Sequence, residues 1–252
     1  MLFVECAGVP GSGKSEITGR FQAWLTASDI PFVDVAAFLR FEAARPPTSV
    51  PHIGDKLDLG SKDVDILLKS FRHFFLDEPS YVLRYLQSVV ELEPSRAARD
   101  LVLSSFNFAC AQRGYFSARR ERVGADVVIH EEGLVHRLFT LFGYRSGGPH
   151  EERLLRDLAV LTPRPDVLIW TRCLPRVALE RLEIRERKKP DRLVDVSPEV
   201  AIEILANADR KIETVATIFS ERGTCVVEAR TDADFDEAPL FDAIFGTANV
   251  VY

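Results

Sequence analysis

The sequence predicts an α/β fold of three layers, with a five-stranded parallel sheet between two layers of helices. Five short apolar runs are typical of buried parallel strands, at residues 2–6, 31–35, 126–130, 166–171 and 224–228. Helical patterns fill every gap between them, which implies right-handed crossovers around a parallel sheet. Because 252 residues suffice for one sizeable core, we expect a single domain over residues 1–252.

The first strand leads into a glycine-rich loop with the pattern G-x-x-x-x-G-K-[ST]. The loop and the next residue are Gly8, Val9, Pro10, Gly11, Ser12, Gly13, Lys14, Ser15 and Glu16. The glycines let backbone N–H groups turn inward toward phosphate oxygens. Lys14 can reach β- and γ-phosphates, and the Ser15 hydroxyl can ligate Mg²⁺. A strand before the loop and a helical pattern after it complete the context of a nucleoside triphosphate site, a P-loop.

The second strand ends at Asp34, on the sheet edge where ligands bind in such folds. Asp34 is therefore a candidate to bind an acceptor or to take its proton. The interval from residue 36 to residue 125 holds three helical patterns, and we expect it to form a helical insert on the substrate side. Asn107 and Arg113, on the third of these helices, are candidate acceptor contacts.

The third strand ends at His130 and is followed by two carboxylates, Glu131 and Glu132. An acidic side chain at this point can hold Mg²⁺ or accept a proton from an attacking hydroxyl. Glu131 comes first after the strand and is the leading candidate, with Glu132 second. The alternative is a pair of solvated carboxylates at a helix N-terminus, and we interpret His130 as a packing residue.

A basic segment follows the fourth strand, with seven basic and four acidic residues between 176 and 192. Arginine side chains supply the cations that stabilise a phosphoryl group during transfer. We predict that residues 183–197 form a lid that brings Arg185, Arg187 and Arg192 over the nucleotide. Pro190 predicts that the preceding helix ends near Lys188. The alternative is a solvated helix with ion pairs between neighbouring turns.

Composition limits the classes of partner. A net charge of −6 and a pI near 5.5 argue against a dedicated nucleic-acid binder. No apolar run is long enough for a transmembrane helix, and the first strand starts too early to leave room for a targeting segment. Four widely spaced cysteines favour reduced thiols, so we expect a cytoplasmic protein. A homodimer is compatible with the sequence.

These segments resemble the P-loop nucleoside and nucleotide kinases, and thymidylate kinase in particular. Residues 3–15 are similar to that family's first strand and loop, 127–132 to its strand with an acidic end, and 165–182 to its fourth strand and the helix before the lid. The resemblance implies ATP and Mg²⁺ as cofactors. Three departures concern the acceptor side: Glu132 replaces an arginine, Glu16 replaces a threonine, and no E-P-G pattern follows Asp34.

The sequence as a whole predicts an ATP-dependent kinase of a small acceptor, a nucleoside or a nucleotide. Lys14 would hold the phosphates, Ser15 and Glu131 the metal, and Asp34 or Glu131 would act as the base. A nucleoside triphosphate hydrolase that acts with a partner and a kinase of another metabolite are the alternatives. A nucleotide-binding module without enzymatic activity is a further reading, and ATP and GTP are both open as the donor.

Overall fold

The structure is a computed structural model that describes residues 1–35, 61–93, 95–118, 124–185, 189–232, 241–242 and 244–245. Five parallel strands form one sheet in the order β2-β3-β1-β4-β5. The strands are β1 Leu2–Ala7, β2 Phe32–Asp34, β3 Val127–His130, β4 Val167–Arg172 and β5 Cys225–Arg230. Each overlaps a predicted apolar run, so the predicted five-stranded parallel sheet is confirmed.

Helices connect the strands. In the described ranges they are α1 Lys14–Ala27, α2 Ser61–Asp77, α3 Pro79–Leu92, α4 Arg96–Ala118, α5 Leu134–Phe142, α6 Pro149–Leu161, α7 Pro175–Ile184 and α8 Pro198–Glu221, with a 3₁₀ turn at Asp191–Leu193. Proline at the first or second position of α3, α6, α7 and α8 suits these starts, because the first helical residues need no N–H partner. The helices α2, α3 and α4 lie within the predicted insert, and residues 36–60 fall outside the described part.

Helices cover both faces of the sheet. One apolar cluster joins β1, β3 and β4 to α1, with Phe21 fully buried against Phe241 at a ring-centroid distance of 4.9 Å. A larger cluster on the other face packs α3 to α8 together. The two clusters confirm the predicted α/β layering. Helices cover both faces because buried parallel strands are apolar runs that need a cover on both sides.

The central strand β1 leads into the glycine-rich loop. Its chain continues toward β2 on one side, while β4 continues to β5 on the other side. Ligands in open α/β sheets bind at such a switch point, outside the carboxyl ends of the strands. The fold therefore places the end of β1, at Ala7, beside the ends of β3 and β4.

The helix before the predicted lid is shorter than its sequence pattern indicates. Helix α7 ends at Ile184, and Arg185 is extended with φ −78° and ψ 146°. The prediction of an end near Lys188 is wrong. Arg185, Lys188 and Lys189 would repel one another on a continuing helix, since residues three and four apart are neighbours there. Arg181 and Arg185 are thus not on one helix.

None of the helices in the described part of the chain is both long and apolar enough to cross a membrane. The apolar pattern of residues 235–245 predicts a last helix that covers the final strand, and most of it lies outside the described residues. Within it, residues 241–242 and 244–245 are helical.

Candidate functional site

The glycine-rich loop joins β1 to α1 through two left-handed residues. Gly11 and Gly13 have φ values of +83° and +87°, which L-residues with a side chain rarely adopt. The carbonyl oxygen of Ala178, on α7, would lie 2.3 Å from a Cβ placed on Gly11. The loop therefore needs glycine at Gly11 for its backbone angle and for the close approach of α7.

Replacing Gly11 with alanine is expected to destabilise the fold by roughly 1–3 kcal/mol, since the added Cβ is strained at this backbone angle and clashes with the Ala178 carbonyl of α7. Gly19→Ala is the matched control. Gly19 lies within α1 with open space around it, and alanine there should stabilise the helix by roughly 0.5–1 kcal/mol. Urea unfolding of both variants measures the difference. Equal free energies of unfolding for the two variants would contradict the loop geometry.

Two threonines at strand ends hold the glycine-rich loop in place through hydrogen bonds. The Thr171 hydroxyl, on β4, lies 2.8 Å from the hydroxyl of the fully buried Ser12. Thr231, just after β5, donates to the carbonyl of Ser12 at 2.8 Å. Arg181 of α7 in turn donates to the Thr231 hydroxyl at 2.8 Å and to its carbonyl at 2.6 Å. The loop is thus fastened to β4, β5 and α7.

The side chain of Lys14 folds back over the mouth of the loop. Its Nζ donates to the carbonyls of Gly8 and Val9 at 2.8 and 3.2 Å. Burial lowers the pKa of Lys14, and the carboxylates of Glu132 and Glu131 oppose that shift. The ammonium therefore lies against two loop carbonyls, with two carboxylates near enough to favour its charged form.

Ser15 and Glu131 meet at the carboxyl edge of the sheet, where the Ser15 hydroxyl donates to Oε1 of Glu131. These are hard oxygen ligands of the kind that Mg²⁺ takes, together with waters and substrate phosphates. Within the described ranges no group of three or more His, Cys, Asp or Glu side chains could hold a metal ion by itself. The pair thus fits a metal bound jointly by protein and nucleotide.

Glu132 forms an ion pair with a different residue. Its carboxylate accepts from Arg137, on α5, at 3.2 Å, and the Arg137 side chain is buried. His130 is buried at the end of β3 with its ring edge-on to Phe116, and burial lowers its pKa to about 3. A histidine held neutral in this way is a packing residue and a poor base.

Asp34 lies one residue short of the sheet edge. Strand β2 pairs it with Ile129, and the same residue pairs with Val4 of β1. Its carboxylate accepts from Gln22 of α1 at 2.9 Å. Asp34 is therefore directed to the α1 side of the sheet, whereas Ser15 and Glu131 contact each other.

Arg113 lies near the other end of the sheet. Its guanidinium stacks on the ring of Phe3, 3.6 Å from the centroid, and donates to the carbonyl of Arg164 at 3.2 Å. Phe3 stands near the start of β1 and Arg164 just before β4, so these two contacts of Arg113 lie toward the amino ends of the strands. Asn107 is exposed on α4. The contacts described for Arg113 are with residues outside the glycine-rich loop.

Two arginines of the predicted lid have their charges within electrostatic reach of described residues. Arg185 is near enough to Lys14 for its charge to lower the pKa of Lys14. Burial raises the pKa of Tyr144, and the charges of Arg185 and Arg192 both oppose this shift. Arg192 also lies 3.5 Å from the buried carboxylate of Glu93. Arg187 falls outside the described residues.

Sequence reasoning missed the residues that support the loop. Thr171 and Thr231 stand at or just after strand ends, and the rule that ligands bind at such ends could have found them. Glu5 is a charged residue inside an apolar strand, which is itself a signal, and it is 1% exposed. No sequence pattern indicated the role of Arg137, since a single arginine on an apolar helix does not by itself point to a partner.

The chain matches no protein-family model and no curated protein. Two of the matching solved structures are of deoxyadenosine kinase from M. mycoides. One, with products dCMP and a flexible dCDP bound, is 12% identical with a TM-score of 0.43, and the match covers 100% of each chain. The other, with bound dATP, is 11% identical with a TM-score of 0.46, covering 98% of this chain and 100% of that chain. Neither is a thymidylate kinase, and these values assign no substrate or activity to this chain.

Proposed function

We propose that the protein is an ATP-dependent phosphotransferase that moves the γ-phosphoryl group of ATP to a small acceptor, a nucleoside or a nucleotide. The hydrogen bond between Ser15 and Glu131 carries this proposal. It joins the phosphate loop to the end of β3, beside Lys14, in the arrangement that a nucleoside triphosphate with a divalent cation requires. The proposed domain is a single P-loop kinase unit over 1–252, with the insert at 36–125 and the lid at 183–197.

The loop N–H groups of residues 8–16 would bind the phosphates, and Lys14 would place its charge on the β- and γ-oxygens. Ser15 and Glu131 would hold Mg²⁺, which neutralises charge on the phosphates when bound. Arg185, Arg187 and Arg192 would stabilise the phosphoryl group in transfer and exclude water when the lid closes.

Of the two candidate bases, Glu131 is better placed than Asp34 to take the proton from an acceptor hydroxyl. Glu131 stands at the sheet edge beside Ser15, whereas Asp34 accepts a hydrogen bond from Gln22 on the α1 side. If the acceptor is an alcohol, Glu131 is thus the better base. If the acceptor is a nucleoside monophosphate, no base is needed, because its phosphate is already an anion.

A hydrolase that couples ATP turnover to a partner is the second candidate. The observation that favours it is the pair Glu131 and Glu132 directly after an apolar strand, since a carboxylate there can also orient water. The basic segment favours the kinase, because a transferred phosphoryl group needs cations from a closing element.

The double variant Arg185→Ala with Arg192→Ala distinguishes the two. We expect ATP affinity near that of the wild type, and phosphoryl transfer lower by about 100-fold, because cations that act on the transition state are lost. A ³¹P NMR screen of nucleosides, nucleotides and other metabolites with ATP and Mg²⁺ measures transfer. Arg96→Ala with Arg176→Ala is the control, since both side chains are highly exposed. Turnover that needs no acceptor and is unaffected by the double variant would refute the kinase.

A further inference from the structure

A buried carboxylate on β1 links the two ends of the Glu131–Glu132 turn. The strand β3 ends at His130, and helix α5 begins at Leu134. The backbone of Glu5 pairs with His130 in the sheet, and the Glu5 carboxylate accepts from the backbone N–H of Val135 at 2.9 Å. Both anchor points of the turn are therefore on Glu5.

Helix α5 has no cap of its own. The first N–H groups of a helix need acceptors, and they usually obtain one from a Ser, Thr, Asp or Asn at the cap position. Here that position is Gly133, which has no side chain. Burial raises the pKa of Glu5, and the N–H groups of Val135 and Leu134 both oppose this. Glu5 thus supplies the cap from a neighbouring strand.

The fit around the carboxylate is tight. A Cβ placed on Gly133 would lie 2.4 Å from Cδ of Glu5, so the carboxylate lies directly against the glycine backbone. The side chain is 1% exposed. A buried carboxylate is costly, and a local polar cap would suffice if only the start of α5 had to be stabilised.

We infer that Glu5 is a positioning residue of the proposed phosphotransferase site: it holds the Glu131–Glu132 turn so that Glu131 stands against Ser15. This rests on the proposed role of Ser15 and Glu131 toward Mg²⁺. Loss of the Glu5 carboxylate releases the start of α5 and moves Glu131 away from Ser15. Binding that depends on Mg²⁺ then weakens, whereas phosphate binding by the loop remains.

The test compares the Kd of ATP with Mg²⁺ and with EDTA, by isothermal titration calorimetry, in the wild type and in Glu5→Gln. We expect the Kd of MgATP to rise about tenfold, as for outer residues that orient metal ligands, and the Kd of metal-free ATP to stay unchanged. Asp166→Asn is the matched control, since Asp166 accepts from the backbone N–H of Phe3 at 2.8 Å. It should leave both Kd values unchanged.

A double-variant cycle separates positioning from general loosening. If Glu5 acts through Glu131, then Glu5→Gln adds nothing to the MgATP defect of Glu131→Gln. Three results would overturn the inference. The two substitutions could raise the Kd of MgATP additively, Glu5→Gln could weaken the binding of metal-free ATP as much as that of MgATP, or Glu5→Gln could leave the preference for MgATP unchanged. Gly133→Ala, whose Cβ would displace the same carboxylate, must reproduce the Glu5→Gln result, and it serves alone if Glu5→Gln does not fold.

The inference and the proposed function fail in different ways. A protein that shows the Glu5-dependent preference for MgATP but transfers phosphate to no acceptor is not the proposed kinase, yet the role of Glu5 stands. A protein that transfers phosphate normally while Glu5→Gln keeps the wild-type preference for MgATP leaves the function intact and overturns the inference.

Discussion

Replacing Lys14 with alanine is expected to reduce phosphoryl transfer by about 10³- to 10⁵-fold, the effect of removing a key cation from a phosphoryl-transfer site. Lys14 holds its ammonium against the carbonyls of Gly8 and Val9, at 2.8 and 3.2 Å, directly at the loop mouth. Without it, the loop backbone would have to bind the β- and γ-phosphates with no fixed positive charge from this side chain. We expect the Kd of MgATP to rise with the loss of transfer.

Calorimetry for binding and ³¹P NMR for transfer measure both effects of Lys14→Ala. The control is Lys69→Ala, which removes an exposed lysine of α2 and should change neither quantity. Thermal unfolding of the variant shows whether the loss of the two hydrogen bonds to the loop carbonyls also destabilises the fold. A variant that folds and binds MgATP as tightly as the wild type would contradict the assignment of this loop to a triphosphate.

Replacing Glu131 with glutamine is expected to lower transfer by about 10³-fold and to raise the Mg²⁺ concentration needed for half-maximal activity. Glutamine keeps an oxygen that can accept from the Ser15 hydroxyl, so the variant removes the charge and preserves the contact. The neutral amide is a weaker ligand for a hard divalent cation than a carboxylate.

The neighbouring residue provides the control for Glu131→Gln. Glu132→Gln loses the ion pair with Arg137. Because the Glu132 side chain is 44% exposed, the effect on transfer should stay below about tenfold. A Mg²⁺ titration of both variants measures the difference. If Glu132→Gln were the more damaging change, Glu132 would replace Glu131 as the carboxylate of the site. Wild-type protein in EDTA should fall to the activity of Glu131→Gln.

The loop was predictable because its chemistry is local. The turn between β1 and α1 lies within a few consecutive residues that include Gly11 and Gly13, and the strand and helix around it show in the apolar pattern. The five strands were predictable for the same reason, since buried parallel strands are short continuous apolar runs.

The surroundings of the candidate acceptor residues Asp34 and Arg113 were not predictable, because they depend on how far each element runs. Asp34 stands at the end of a predicted strand, but β2 pairs it with Ile129, one residue before the end of β3. Its carboxylate accepts a hydrogen bond from Gln22. Arg113 belongs to a helix whose periodicity is clear, yet the pattern does not say which end of the sheet that part of the helix reaches. The contact with Phe3 decides this.

The sequence by itself determined the fold class and the position of the glycine-rich loop, since both depend on neighbouring residues and on the periodicity of apolar side chains. Only the tertiary structure decided which carboxylate meets Ser15, because Glu131 lies 116 residues away along the chain. The same holds for Glu5, whose carboxylate caps a helix 130 residues further on. Such pairs arise from sheet order and register, which place distant segments at one edge and leave no local pattern.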